Sequence, residues 1–158
     1  MYTPRKLLAK KLCRLSSFLH HACEEFENIT KQIRAKNIRM GVRSVVIKTE
    51  QYERELNSQL YMLQIKGTTE RLNNFKEKDS KRVNNKNMSD KKIIELCCNS
   101  EVFFSNAYHS ILNEYFPYKP LRDMLRYQLT GIYDAFRQLK LLNSVITPHV
   151  IEEAVISY

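Results

Sequence analysis

Leu8, Leu12, Leu15, Leu19, Ala22, Phe26, Ile29 and Ile33 follow one another at intervals of three and four residues, the spacing that keeps apolar side chains on one face of an α-helix. Thr3-Pro4 stands just ahead, a capping residue followed by proline at the first helical position. The pattern predicts a first helix over about 4–34. Asn37 can cap a second, about 38–66, in which Val42, Val45, Val46, Thr49, Leu56, Leu60 and Leu63 repeat the spacing. Ser89 and Asp90 open a third, about 89–114, through Ile93, Leu96, Cys97, Ser100, Phe104, Ala107, Ile111 and Leu112. Pro120 opens a fourth, about 120–143, carried by Leu121, Met124, Leu125, Gln128, Ile132, Ala135, Leu139 and Leu142.

The links between these segments are unequal. A few residues join the first two helices, and "FPYKP" joins the last two, so each pair is expected to form an antiparallel hairpin. The polar, Asn-rich crossover, 67–88, is far longer. A helix of about 28 residues is roughly 42 Å long and about 22 extended residues reach roughly 70 Å, so this segment can run the length of a bundle. The expected fold is all-α: a ferritin-like four-helix bundle of two hairpins joined by a long crossover. Thr147-Pro148 repeats the cap signature of Thr3-Pro4, which predicts a separate short C-terminal element over 147–157 whose Val150, Ile151, Val155 and Ile156 need burial.

Composition agrees with one all-helical domain over 1–158. The chain is long enough for a single real core, and only three glycines and four prolines interrupt it. No apolar run spans a membrane, and Lys10, Lys11 and Arg14 break up the only stretch that resembles a signal peptide, so a cytoplasmic protein is expected. Cys13, Cys23, Cys97 and Cys98 form no CxxC pair and complete no zinc site with the histidines; they read as reduced, packed thiols.

Charge adds one candidate surface. The net charge is +9, and part of the excess lies in Lys31, Arg34, Lys36, Arg39 and Arg43, a stretch with no acid in it. Such a cluster is either a solvated face or a site for nucleic acid or another anionic polymer, which bind through phosphate charge. Tyr52, Tyr61, Tyr108, Tyr127 and Tyr133 sit at helical spacings that suit a core or its edge better than base stacking. No glycine-rich phosphate loop and no G-x-S-x-G occurs.

The two halves also look like distant repeats. "LHHACEEF" at 19–26 can be laid on "LCCNSEVF" at 96–103, which brings Glu24 over Glu101 and Phe26 over Phe103, while a one-residue slip selects Glu25 instead. "SEVFFSNAY" is similar to the helix of rubrerythrin-like and ferritin-like proteins in which a glutamate precedes a tyrosine by seven residues, here Glu101 and Tyr108. With the pattern ahead of it, "MSDKKIIELCCNSEVFFSNAYHSIL" resembles an uncharacterised bacterial two-hairpin ferritin-like family, over roughly residues 7–143. That resemblance implies the ferritin-like fold and raises the question of a di-iron site. Such a site takes a Glu from each of two helices and a Glu-x-x-His from each of the other two. Glu24 or Glu25 and Glu101 could supply the first pair. Glu53 is the inward candidate on the second helix but is followed three residues on by Leu56, and on the fourth helix Gln128 is followed by Gly131. His20, His21, His109 and His149 all fall outside the second and fourth helices.

Glu101 therefore reads as a structural carboxylate, hydrogen-bonded to Tyr108 or Tyr133 or flanking the core, and the i,i+4 pairs His20/Glu24 and His21/Glu25 as at most adventitious cation sites. No cofactor is expected. The leading functional expectation is a non-enzymatic bundle acting through its surface or assembly, as a homo-oligomer or on a partner. The alternatives are binding of an anionic polymer at the basic cluster, and a metal-binding or iron-related oxidoreductase.

Overall fold

The computed structural model describes residues 4–62 and 88–156, with side chains described for 6–62 and 88–145. Among these residues all regular structure is helical: α1 (Pro4–Thr30), α2 (Lys36–Met62), α3 (Asp90–Asn99), α4 (Glu101–Leu112) and α5 (Lys119–Ile156). The 67–88 crossover, apart from Met88, lies outside the described residues, as do the last turn expected of the second helix and the stretch between.

Three boundaries differ from the sequence expectation, each for a local reason. α1 stops at Thr30, whose hydroxyl turns back on the carbonyl of Glu27, 2.6 Å away, so that residues 31–35 form a turn. Asn37 is no N-cap: α2 already includes Lys36, and the Asn37 side chain accepts from the N–H of Ile38 within the first turn. The third helix is broken. Ser100 donates from both its N–H (3.1 Å) and its hydroxyl (2.6 Å) to the carbonyl of Cys97, a tightened turn that separates α3 from α4.

The fourth helix shows the opposite behaviour. It runs unbroken from Lys119 through Pro148 to Ile156, so 147–157 is not a separate element. A proline removes one backbone bond, here to exposed Ser144, and no glycine stands in the turn before it to stop the helix.

Cross-links fix the directions. Ser16 bonds Asn57, and Cys23 the carbonyl of Val46, so α1 and α2 are antiparallel. Lys11 reaches Ser110 while the turn after α1 meets Asp90, so α3–α4 is antiparallel to α1. Lys48 meets Gly131 and Gln128 meets Tyr52, which sets α5 against α2; Tyr108 meets Gln128, which sets α4 against α5. Each rod thus packs chiefly on two antiparallel neighbours; α2 also touches α3 but stands diagonal to α4. Met62 and Met88 consequently lie at opposite ends of the bundle.

The shared interior carries Leu12, Leu19, Val42, Leu56, Ile94, Leu125, Phe136 and Leu139, all at 0% exposure. Each such side chain contributes about 1.5–3 kcal/mol by leaving water. α2 and α5 come so close that a Cβ on Gly131 would stand 1.8 Å from the Tyr52 hydroxyl. Only a residue without a side chain fits that crossing.

Candidate functional site

The carboxylates singled out by sequence end up on two separate seams. Glu101 opens α4 and faces α5, where Lys140 Nζ donates to its Oε1 in a short contact. It bonds neither Tyr108 nor Tyr133. Tyr108 stands seven residues on, roughly 10 Å along the helix, and is fully buried with its hydroxyl on Gln128 Oε1 at 2.8 Å. Tyr133 instead meets the Ser105 hydroxyl at 2.7 Å. Glu101, Val102, Ser105, Tyr133, Arg137 and Lys140 line an open groove along the α4–α5 seam.

On the α1–α2 seam His20 lies between two carboxylates. Its Nδ1 is 2.8 Å from Glu53 Oε1, and its Nε2 is 3.0 Å from Glu24 Oε1, near enough for an ion pair but outside hydrogen-bond geometry. A neutral ring could donate to only one of them. The His20/Glu24 pair was legible from its i,i+4 spacing; Glu53 as its third member was not. Glu25 is exposed on the neighbouring stripe of α1.

Between the seams the middle of the bundle is aromatic. Phe104 packs against Phe18, Phe136 and Phe26 with ring centroids 4.9, 5.3 and 6.2 Å away. Toward the end where α1 starts, Gln128, at 0% exposure, accepts from Tyr108 and donates to Glu55 Oε1 (3.1 Å) and the Tyr52 carbonyl (3.3 Å). This buried chain of partners satisfies Gln128 and joins three helices. Burial pushes the Tyr108 phenol well above its ordinary range.

A di-iron centre does not fit this arrangement. It needs carboxylates and imidazoles converging from four helices, whereas Glu24 and Glu53 share one histidine on one seam, Glu101 pairs with a lysine on another, and phenylalanines fill the space between. Among the described residues no three of His, Cys, Asp or Glu are placed to hold one metal ion.

Cys23, Cys97 and Cys98 favour the protonated thiol. Burial, with Glu27, Glu50, Glu53 and Glu24 adding to it, pushes Cys23 up to about 12. Burial, then neighbouring Cys98, does the same to Cys97, also to about 12. Cys98 is raised by burial too, opposed by Lys140. A protonated buried thiol is a poor nucleophile and a poor metal ligand.

The basic cluster forms one end of the bundle. Lys31, Arg34, Lys36, Arg39 and Arg43 are all exposed around the α1–α2 turn, and exposed Lys91 and Lys92 of α3 adjoin them. The carboxylate nearest the turn is committed to backbone: Asp90 accepts from the N–H groups of Arg34 (2.9 Å) and Ala35 (2.7 Å). Two apolar side chains stand among the arginines of α2, Met40 at 60% and Ile47 at 55% exposure. The charges are legible from composition alone, whereas Met40 and Ile47 show only as a Met–x6–Ile spacing on an otherwise polar face. The exposed tyrosines Tyr61, Tyr115 and Tyr127 lie toward the other end.

Comparison with protein-family models, with curated proteins and with solved structures finds no match. No described helix is long and apolar enough to cross a membrane.

Proposed function

We propose that this chain is a non-enzymatic, cytoplasmic helical bundle of ferritin-like arrangement, distantly similar to rubrerythrin-like proteins, that acts through its surface or its assembly. The arrangement is supported by the antiparallel order of the four rods, with Met62 and Met88 at opposite ends, because a crossover of this kind is what ferritin-like bundles use. One observation carries the functional part. The carboxylates that a metal centre of this fold would recruit do not converge: Glu101 pairs with Lys140 on one seam, Glu24 and Glu53 flank His20 on another, Glu25 lies on an exposed stripe of α1, and the four phenylalanines fill the interior between the seams. What remains presented to solvent is charge and scattered apolar side chains, the material of a binding surface.

Metal analysis of protein purified without added metal, run beside a ferrous-oxidation assay, tests this. The expected result is iron well below one per chain and no oxidation above background. Two irons per chain, lost on Glu101→Ala, would overturn the reading in favour of an iron-related oxidoreductase.

A further inference from the structure

We infer that the basic end of the bundle docks the last turns of α5 from a second copy of this chain. This rests on the reading that the protein works through its surface, and it names the surface and the partner.

The first observation is an overhang. Leu142 of α5 lies against Gly41 of α2, where a Cβ would come within 2.4 Å of the leucine. From that level α2 runs back only to Lys36, whereas α5 runs on to Ile156. At about 1.5 Å per residue those spans are roughly 8 and 21 Å, so roughly 13 Å of helix stands past the start of α2. The described part of this end already presents unpartnered apolar surface, Leu141 at 60% and Val145 at 64% exposure. The sequence beyond continues with Val150, Ile151, Val155 and Ile156 and two acids, Glu152 and Glu153.

The second observation is the complement. At the same end, the exposed face of α2 sets Met40 and Ile47 among Lys36, Arg39 and Arg43. An apolar–basic strip matches an apolar–acidic helix in both respects. It suits a nucleic acid poorly, because phosphates would leave Met40 and Ile47 in water and, among the described residues, no exposed aromatic ring stands beside these cations to stack a base. Lengths agree as well: Lys36 to Arg43 spans roughly 10 Å, close to the overhang.

Two copies facing end to end can exchange overhangs about a two-fold axis, each α5 lying on the other's α2, so that one contact is made twice and the assembly closes. The +9 charge opposes contact between copies elsewhere, which favours the orientation in which the acids meet the strip.

Light scattering on size-separated protein, across micromolar to submillimolar concentration, reads the outcome. The full chain should approach twice its 18.8 kDa mass, and truncation after Asn143 should return it to one chain with helicity per residue nearly intact. Arg39→Glu with Arg43→Glu, and separately Glu152→Arg with Glu153→Arg, should each give monomers. Mixing those two variants should restore a dimer, since each supplies the charge the other lacks, and only a docking of α5 on α2 has that property. A monomeric full chain, a dimer that survives truncation, or a mixture that stays monomeric while both variants keep wild-type melting overturns the inference. So does a monomer that shifts a DNA duplex in a manner abolished by the arginine variant. Iron analysis of the same samples separates failure of this docking from failure of the non-enzymatic reading, because the dimer can be absent with no iron bound.

Discussion

α1 and the α3–α4 rod each begin an antiparallel hairpin, and every buried position of the rod has a buried counterpart on α1 or in the turn after it: Ile93 with Leu15, Ile94 with Ser16, Cys97 with Leu19, Phe104 with Phe26, Tyr108 with Thr30 and Ile111 with Ile33. In this register Glu101 stands opposite Cys23. Both positions point across their hairpin, Cys23 to the Val46 carbonyl on α2 and Glu101 to Lys140 on α5. The same place on the helix holds a thiol where the partner offers backbone and apolar atoms, and a carboxylate where the partner offers an ammonium group. Any likeness of the two halves is thus a likeness of packing, and the chemistry at each point follows the facing helix.

Phenylalanine truncations test the register most strongly. Phe104→Ala and Phe26→Ala, at 1% and 4% exposure, should each cost about 3–5 kcal/mol in chemical denaturation. Phe103→Ala, at 61% exposure, should stay within about 0.5 kcal/mol. Equal losses at 103 and 104 would restore the alignment of Phe26 with Phe103.

Tyr108, opposite Thr30, is the next discriminator. Tyr108→Phe leaves Gln128 Oε1 without its buried donor and should cost about 1–3 kcal/mol, while Thr30→Val, which loses only a local bond to Glu27, should cost less. A milder loss at Tyr108 would mean that Gln128 finds another donor.

The thiols of both halves give a pH signature. Cys23 and Cys97 are raised in the folded state from 9.0 to about 12, so above pH 9 the unfolded chain loses these protons first. Stability carried by them is therefore present below about pH 9 and falls as pH rises toward about 12. Cys23 and Cys97 should resist thiol reagents at pH 8 in the native protein and react fully once it is unfolded; rapid labelling of either in the native state would contradict their sealing.

Among the contacts that join two helices, the smallest effect belongs to the Lys140–Glu101 pair. Lys140→Met should cost no more than about 1 kcal/mol and lose its effect in high salt, because the lysine is half exposed. A loss several-fold larger would mark Glu101 as a buried charge.

The helices themselves were legible because their apolar spacing is sustained over many turns, and the His20/Glu24 pair because it lies within one turn. The register of the two halves was not. The spacing of the third helix did mark Phe104 as the inward ring, but the short likeness of 19–26 to 96–103 laid Phe26 on its exposed neighbour Phe103. Lys140 could not be assigned to Glu101 without knowing how α4 and α5 slide past one another, nor Glu53 to His20 without the α1–α2 register. At Pro148 a convincing local cap was overridden, since a helix already in progress can continue through a proline near its end.

Asp90 has a consequence for how the molecule opens. Its carboxylate holds the amides of Arg34 and Ala35 from a position more than fifty residues along the chain. A tight turn between two helices would ordinarily exchange its amide protons with solvent by local fraying. Here those two protons can be released only when the start of α3 lifts away, so their exchange rates become a clock for separation of the two hairpins. Two backbone amides at one tip thus report, in a single spectrum, whether the halves of the bundle part together or one at a time.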